Sequence, residues 1–340
     1  MPIDYCLIEG GNFGDDLNRT LWRQLFPDID QLSKDVVITG IGTILSCKPA
    51  DNVRKVILGS GAKGPNIKLH TGNSDVRWVR GPQTAQAVGV AKQLGVGDPA
   101  WLYSDLYETF DADRSGAIGL IPHWATWHSF DWASVAAHAG MIGIDARLPP
   151  AQVMHKMRSC SRILTESLHG AVFADAMGIP WAPAILAHRF NRFKWEDWSA
   201  TIHRQFNPFV ADRPLINSIT PIKSITNRIA KSINFKAATR LPALRAIKTS
   251  SPEDAEQIAT QLFKYCADES NFFCSNPRLV SMSKERMLDI CADFAKDYGL
   301  AFQPNNTSTL YQMNYPKIKS HFIHNSNNYL WDGMRERVDV

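Results

Sequence analysis

The 340-residue sequence predicts an α/β protein built on parallel sheets. Three observations carry this. Short β-rich runs recur, each ending in small or polar residues, and helix-like segments fall between several of them. The runs are also apolar nearly throughout instead of alternating, as strands covered on both faces are. In such sheets ligands bind beyond the carboxyl ends of the strands, so the polar residues after each run are the ones to inspect.

The first run, YCLIEGG (5–11), precedes DDLNRTLWRQLF (15–26), a helix-like stretch opened by two carboxylates. VVITGIG (36–42) and KVILGSG (55–61) follow as strands. GPQTAQAVGVAKQLG (81–95) places Pro82 in a first helical turn and Gly95 as a stop. AIGLIPH (117–123) and MIGIDA (141–146) resume the strands, and PPAQVMHKMRSC (149–160) reads as the helix after them. RILTES (162–167) runs into the helix-like HGAVFADAMG (169–178), and PWAPAIL (180–186) closes the series. Two further helices are expected at PEDAEQIATQLFKYC (252–266) and SKERMLDICADFAKDYG (283–299).

A composition change at Asp111 to Ser115 divides two α/β halves, 1–112 and 113–205, from which a C-terminal region, 206–340, is set off by its charge. From Arg213 to Ser251 there are eight Lys or Arg and no Asp or Glu, with apolar residues interleaved. This is either a solvated basic face or an amphipathic patch for an anionic membrane surface or substrate. The whole-chain net charge of +4 is too mild to argue for nucleic acid. Six cysteines (Cys6, Cys47, Cys160, Cys266, Cys274, Cys291) form no C-x-x-C pair, which points to reduced, buried thiols. The N-terminal residues lack a basic segment followed by an apolar one. The longest apolar region, Ala171 to Leu186, is interrupted by Asp175, Pro180 and Pro183 and is no membrane span. A soluble, cytoplasmic protein is expected.

Two motifs mislead. Gly59-Ser60-Gly61-Ala62-Lys63-Gly64 fits the glycine fingerprint of dinucleotide sites, but Gly64-Pro65 breaks the helix that the motif must open. It reads as a tight turn at a strand end. Asp111 to Ile118 resembles the start of a calcium loop, but Pro122 stands where a bidentate Glu is needed. No H-E-x-x-H type spacing suggests a metal, and no cofactor is expected.

The strand ends carry the chemistry. Asn12, Asp15 and Asp16 follow glycines after the first run and serve either as a helix cap or as a cleft lining. Arg80 directly precedes a helix, opposed to its dipole, which suggests a carboxylate of a ligand or partner. His123 ends one strand of the second half, and Glu166, Ser167 and His169 end another. A lone strand-end histidine is usually structural, whereas two at matching positions favour function. Trp124, Trp127, Trp132, Trp181, Trp195 and Trp198 read mostly as packing, with room for one or two to face a sugar ring.

Taken in order, NFGDD (12–16), GIGTIL (40–45), VRGPQTA (79–85), GDPA (97–100), GLIPHW (119–124), ESLHGAVFADAMGIP (166–180) and FKWEDW (193–198) resemble the polysaccharide pyruvyl transferase family, most closely its exopolysaccharide-type branch. The resemblance implies two Rossmann-like domains in a GT-B-like arrangement with additional C-terminal helices. It also implies phosphoenolpyruvate as donor, a sugar or lipid-linked oligosaccharide as acceptor, and pyruvate left as a cyclic ketal. The family's donor-binding Arg-Leu-His falls on Ser167-Leu168-His169, so a serine replaces one fixed cation. Many relatives also carry arginine where this chain has Pro122-His123. Arg80, Arg162, Lys63 or Lys194 is then left to supply the charge.

On that basis His169 binds phosphate or acts as acid, and His123 assists. Glu166 orients His169, takes a hydroxyl proton, or is a solvated loop acid. The helix start at His169-Gly170-Ala171 offers free N–H groups to an anion, with Gly170 leaving room and Ser167 donating a hydrogen bond. Asn12, Asp15 and Asp16 face the acceptor hydroxyls from the other half. The basic stretch 213–251 holds the enzyme at the inner membrane face. A nucleotide-sugar glycosyltransferase and a non-catalytic carbohydrate-binding protein are the rival readings, because architecture alone does not define chemistry.

Overall fold

Two parallel sheets organise the chain in the computed structural model, which describes residues 2–46, 52–67, 69, 73–106, 116–128, 130–187, 190–215 and 252–304. The first holds four strands in the order β1 (Ile3–Asp4), β2 (Val36–Thr39), β3 (Arg54–Leu58) and β4 (Ser74–Trp78). The second holds β5 (Ile118–Ile121), β6 (Met141–Gly143), β7 (Arg162–Thr165), β8 (Trp181–Ala187) and β9 (Phe209–Leu215), in the order β6-β5-β7-β8-β9. Every pairing is parallel. The boundary expected at Asp111 to Ser115 lies outside the described residues, as does the basic stretch 213–251 from residue 216 onward.

The order of the second sheet locates the cleft. The chain leaves β5 toward β6 on one side and leaves β7 toward β8 on the other. That reversal opens a crevice beyond the carboxyl ends of β5 and β7, where open α/β sheets bind ligands. His123 follows β5, and Glu166 to His169 follow β7.

Helices pack the sheets together. In the first half these are α1 (Phe13–Asp16), α2 (Leu21–Leu25), α3 (Pro82–Ala87) and α4 (Ala100–Leu106). The second half contributes α5 (Trp124–Trp127), α6 (Trp132–His138), α7 (Pro150–Arg158), α8 (Leu168–Ala176) and α9 (Arg192–Thr201), followed by α10 (Pro252–Cys266) and α11 (Pro277–Tyr298). One buried cluster joins Phe13, Trp22, Trp78 and Trp101 of the first half to Phe173, Trp181, Trp195 and Trp198 of the second. Phe173 is the hinge pin of this core, with its ring 5.7 Å from Phe13 and 6.1 Å from Tyr103. Val280, Met287, Cys291, Phe294 and Ala295 bring α11 into the same core. α10 instead covers β9 and α6, its Ile258 and Leu262 packing in a second cluster with Trp132 and Leu186.

Several sequence expectations shift. YCLIEGG is a loop after a strand confined to Ile3–Asp4. Gly10 and Gly11 turn the chain at φ 89° and 92°, and Phe13 N–H then reaches across to Ala146 O at 2.9 Å. β4 escaped notice because SDVRW carries Asp75 and Arg77, which pair with each other at 2.9 Å, while Arg77 also reaches Asp297 of α11 at 2.7 Å. β9 was missed because FVADRPL holds a proline and charges, which suit an edge strand. The stretch 81–95 is helical only to Ala87, since Gly89 adopts φ 75° and a short 3-10 turn follows. DDLNRTLWRQLF is broken by a 3-10 turn at Leu17–Arg19 into α1 and α2.

Of the described cysteines, Cys160, Cys266 and Cys291 are buried free thiols, Cys6 is also buried, and Cys274 is partly buried. Of the six tryptophans singled out, all but the partly buried Trp127 belong to the buried core. Among the described residues no helix is long and apolar enough to cross a membrane.

Gly170 was expected to leave room for a ligand, but it is required by packing. A Cβ there would sit 2.4 Å from Thr165 Oγ1, which is fixed between Ile121 O, Ser167 O and Ser167 N–H. Helix propensity favours alanine over glycine by about 1 kcal/mol. Overpacking a fixed neighbour costs about 1–3 kcal/mol and wins. Gly170→Ala is therefore expected to be destabilised by up to about 2 kcal/mol in urea unfolding; a more stable variant would show that the α8–β7 contact yields.

Candidate active site

Six segments, three from each half, contribute to the crevice. The turn after β5 contributes His123, the N-terminus of α8 contributes His169, and the N-terminal turn of α9 contributes Lys194. From the opposite half come Asp15 of α1, Arg80 after β4, and Asp98 before α4. His169 touches the opposite half directly, against Gly14 and Asp98, and electrostatic influence links the other groups to it or to one another.

His169 lies between the halves. Its Nδ1 occupies the space where Gly14 lacks a side chain, since a Cβ at Gly14 would fall 1.8 Å away. Its Nε2 is 3.7 Å from Asp98 Oδ2. The carboxylate facing His169 is thus Asp98 and not Glu166. Glu166 is buried at 2% exposure and accepts backbone N–H bonds from His123, Leu186 and Ala187, each at 3.0 Å. It ties the ends of β5, β7 and β8 together, so the expectation that it orients His169 or moves a hydroxyl proton gives way to a bracing role. Ser167 is the N-cap of α8 without a side-chain capping bond, and Leu168 belongs to the core.

Four cations were candidates for the missing charge. Lys194 and Arg80 both depress the pKa of His169 and so act on it electrostatically. Arg162, at the amino end of β7, faces Glu269 at 3.6 Å and Cys266 O, away from the crevice. Lys63 offers its carbonyl to Asn191 Nδ2 at 3.2 Å, tying its turn to the N-cap of α9. Arg80 is held rigidly: its guanidinium lies over Gly61, donates to Thr43 Oγ1 at 2.9 Å, and sits 3.4 Å from Asp197 Oδ2. The glycine turn that mimicked a dinucleotide fingerprint thus houses an arginine. Asp197 in turn accepts from Thr84 N–H at 2.7 Å and Thr84 Oγ1 at 2.5 Å.

Across the crevice, Asn12 precedes α1 and donates from Nδ2 to Asp15 Oδ2 at 2.6 Å. Asp16, expected to face an acceptor, turns away: its carboxylate takes Asn12 N–H at 3.2 Å and Arg19 at 3.6 Å. Asp15 is the acid that remains for the cleft, packed near Gly42. Asp98 and Asp197 carry no role in the sequence reading. Both lie in motif segments, GDPA and FKWEDW, but each reads locally as a helix residue or cap, and only their cross-half partners give them meaning.

Desolvation dominates the electrostatics. Burial, then Lys194 and Arg80, pushes His169 down to about 3. Burial, Lys194 and His169 hold His123 well below the ordinary range, and His123 Nδ1 accepts from Ala125 N–H at 3.3 Å. Lys194 falls to about 8 through burial and Arg80, opposed by Asp15 and Glu166. Asp15 rises to about 7 through burial and Asp16, and Asp98 to about 6 through burial. At neutral pH the site holds two neutral imidazoles, two cations, Asp15 near its midpoint and Asp98 largely ionised. An anion placed beside Lys194 would raise both histidines, because an opposite charge favours the protonated form. Among the described residues no group of three or more His, Cys, Asp or Glu is arranged to hold a metal ion.

The buried acids weaken the fold as they ionise. For a carboxyl raised in the folded state, stability is full below the unfolded pKa and is lost as pH rises through the folded one. The carboxyls thus lower the thermal midpoint between about pH 4 and pH 7, while the two histidines held neutral raise it. Asp15→Asn should remove one falling contribution, changing the slope over that window and melting higher than the wild type at about pH 7.5. Melts in a pH series decide this, and an unchanged slope in the variant would mean that Asp15 is solvated.

The chain resembles known proteins over the segments that build this site's sheets. Residues 2–185 match the family described as Polysaccharide pyruvyl transferase. The succinoglycan biosynthesis protein ExoV of Rhizobium meliloti (strain 1021) is 35% identical over 207 residues, covering 60% of this chain and 66% of that protein. The match thus spans just under two thirds of the curated relative's length. No solved structure matches the chain. With a family match running from β1 into β8 and through His123 and His169, the chain belongs to the polysaccharide pyruvyl transferase family.

Proposed function

We propose that the chain transfers pyruvate from phosphoenolpyruvate to two hydroxyls of a sugar, in a polysaccharide or its lipid-linked precursor, forming a cyclic ketal and releasing phosphate. The observation that carries this reading is the convergence of two neutral imidazoles with Lys194 and Arg80 at the β5–β7 crevice, facing Asp15 and Asp98. A small dianion suits that arrangement, with the N-terminus of α8 supplying N–H groups. Lys194 stands in for the arginine replaced at Ser167, since Arg80 is already paired with Asp197.

In this scheme the halves 1–112 and 113–205 form a GT-B-like pair, the first on the acceptor side and the second on the donor side. Phosphoenolpyruvate binds with its phosphate at His169, Lys194 and the start of α8. Its charge raises the imidazole pKa, and the protonated histidine delivers a proton to the enol CH2. One sugar hydroxyl attacks the adjacent carbon and gives its proton to Asp15, which at about 7 is matched to such a transfer. The C–O bond to phosphate breaks, and the second hydroxyl closes the ring. Of the two hydroxyl protons, one replaces that delivered to carbon and the other leaves with phosphate. No resident cofactor is required. The name of the Rhizobium relative supports an exopolysaccharide intermediate as acceptor.

Phosphate release from phosphoenolpyruvate, with a lipid-linked oligosaccharide fraction as acceptor, tests the assignment. His169→Gln is expected to lose at least about 100-fold in kcat, and Lys194→Met to raise KM for phosphoenolpyruvate about 10-fold or more. Wild-type rates in both variants would overturn it. The basic stretch 213–251 places the enzyme at the inner membrane face. The full chain is expected to float with phosphatidylglycerol vesicles at low salt and to be released at about 0.5 M salt. Sedimentation without vesicles at every salt concentration would sink the membrane contact.

A further inference from the structure

We propose that Asp98 and His169 form a dyad assembled across the two halves, in which Asp98 fixes the ring so that Nε2 carries the proton and Nδ1 faces Gly14. Asp98 is a positioning residue acting through His169. The proposal rests on the proposed function for its catalytic meaning but not for its geometry.

Two buried atoms carry the argument. Asp98 Oδ2 and His169 Nε2 are both sealed from solvent and both lack a hydrogen-bond partner. They face each other at 3.7 Å, a charge-pair distance just beyond hydrogen-bond range. Leaving either group unsatisfied is costly, and a shift of under 1 Å satisfies both. The rest of Asp98 is already anchored, since Oδ1 accepts from Ala100 N–H at 3.0 Å. Space for the ring comes from Gly14, where any side chain would collide with Nδ1. His169 belongs to α8 and Asp98 to the loop before α4, so the pair exists only while the halves are packed.

The surrounding charges set the protonation states. Lys194 and Arg80 disfavour the His169 imidazolium, His169 in turn lowers His123, and Arg80 favours the ionised form of Asp98, which itself raises Asp15. An ionised Asp98 accepts but cannot donate, so the neutral ring must present Nε2–H to it. Nδ1 is then left as the acceptor on the Gly14 side. When a bound anion drives protonation of the ring, Asp98 stabilises the imidazolium.

Heteronuclear NMR of the full chain labelled with 15N-histidine reads the tautomer without any substrate. Ten histidines contribute, and the His169 signal is the one lost in His169→Gln. The wild type should show an Nε2–H tautomer. Asp98→Asn keeps the size and the acceptor for Ala100 N–H but presents an amide donor to the ring, so the tautomer should switch to Nδ1–H. Asp98→Glu restores a carboxylate and should keep Nε2–H, which separates the effect from general loss of structure. An unchanged tautomer in Asp98→Asn, or Nδ1–H in the wild type, overturns the dyad. In the phosphate-release assay Asp98→Asn should lower kcat about 100-fold with KM little changed, and add nothing in a His169→Gln background. If the tautomer switches but no protein releases phosphate from phosphoenolpyruvate, the functional reading fails and the dyad stands.

Discussion

Desolvation of charge at the seam between two parallel sheets is the constraint on which this structure depends. Asp98 and Asp197 are fully buried, and Arg80 is 1% exposed. Isolated charges in such surroundings cost several kcal/mol each, so they persist only where partners or function hold them. Asp197 has partners: Arg80, Thr84 N–H and Thr84 Oγ1, all from the opposite half. This anchor fixes α9 against the start of α3, and Lys194, one turn earlier on α9, is thereby aimed at the crevice. The structural ion pair and the candidate donor cation are held by a single short helix.

The unsatisfied groups stand in contrast. Asp98 Oδ2 and His169 Nε2 remain without hydrogen bonds. Sites that move protons place titratable groups where burial and neighbours pull their pKa values apart, and that is the pattern among Asp15, Asp98, His123, His169 and Lys194. Glu166 shows the other use of a buried acid. With three backbone N–H donors it locks three strand ends, and the crevice keeps its shape because that carboxylate is occupied.

Glycines set the distances. Gly14 admits the His169 ring, Gly61 admits the Arg80 guanidinium, and Gly81 admits Asp197. In each case a Cβ would fall within 2.5 Å of the atoms it would displace. These positions bring side chains from different halves within reach of one another. The glycine-rich strand ends therefore serve side-chain packing across the seam, as Gly170 serves packing of α8 on β7.

Periodicity and strand-end composition were enough for the α/β class, for most strands of the second half, and for the helices 149–160, 169–178, 252–266 and 283–299. They also brought His123, His169, Asp15, Arg80 and Lys194 into view, because ionisable residues after apolar runs are visible locally. β4 is hidden because its charges pair with one another and with Asp297 of a distant helix, and β9 because proline and charge suit an edge strand. The choice of cation at the crevice, the turning away of Asp16, the bracing role of Glu166 and the pairing of Asp98 with His169 were likewise decided only by tertiary structure. Each depends on which groups meet after burial, and a linear sequence records the charge of a side chain but not the partner that balances it.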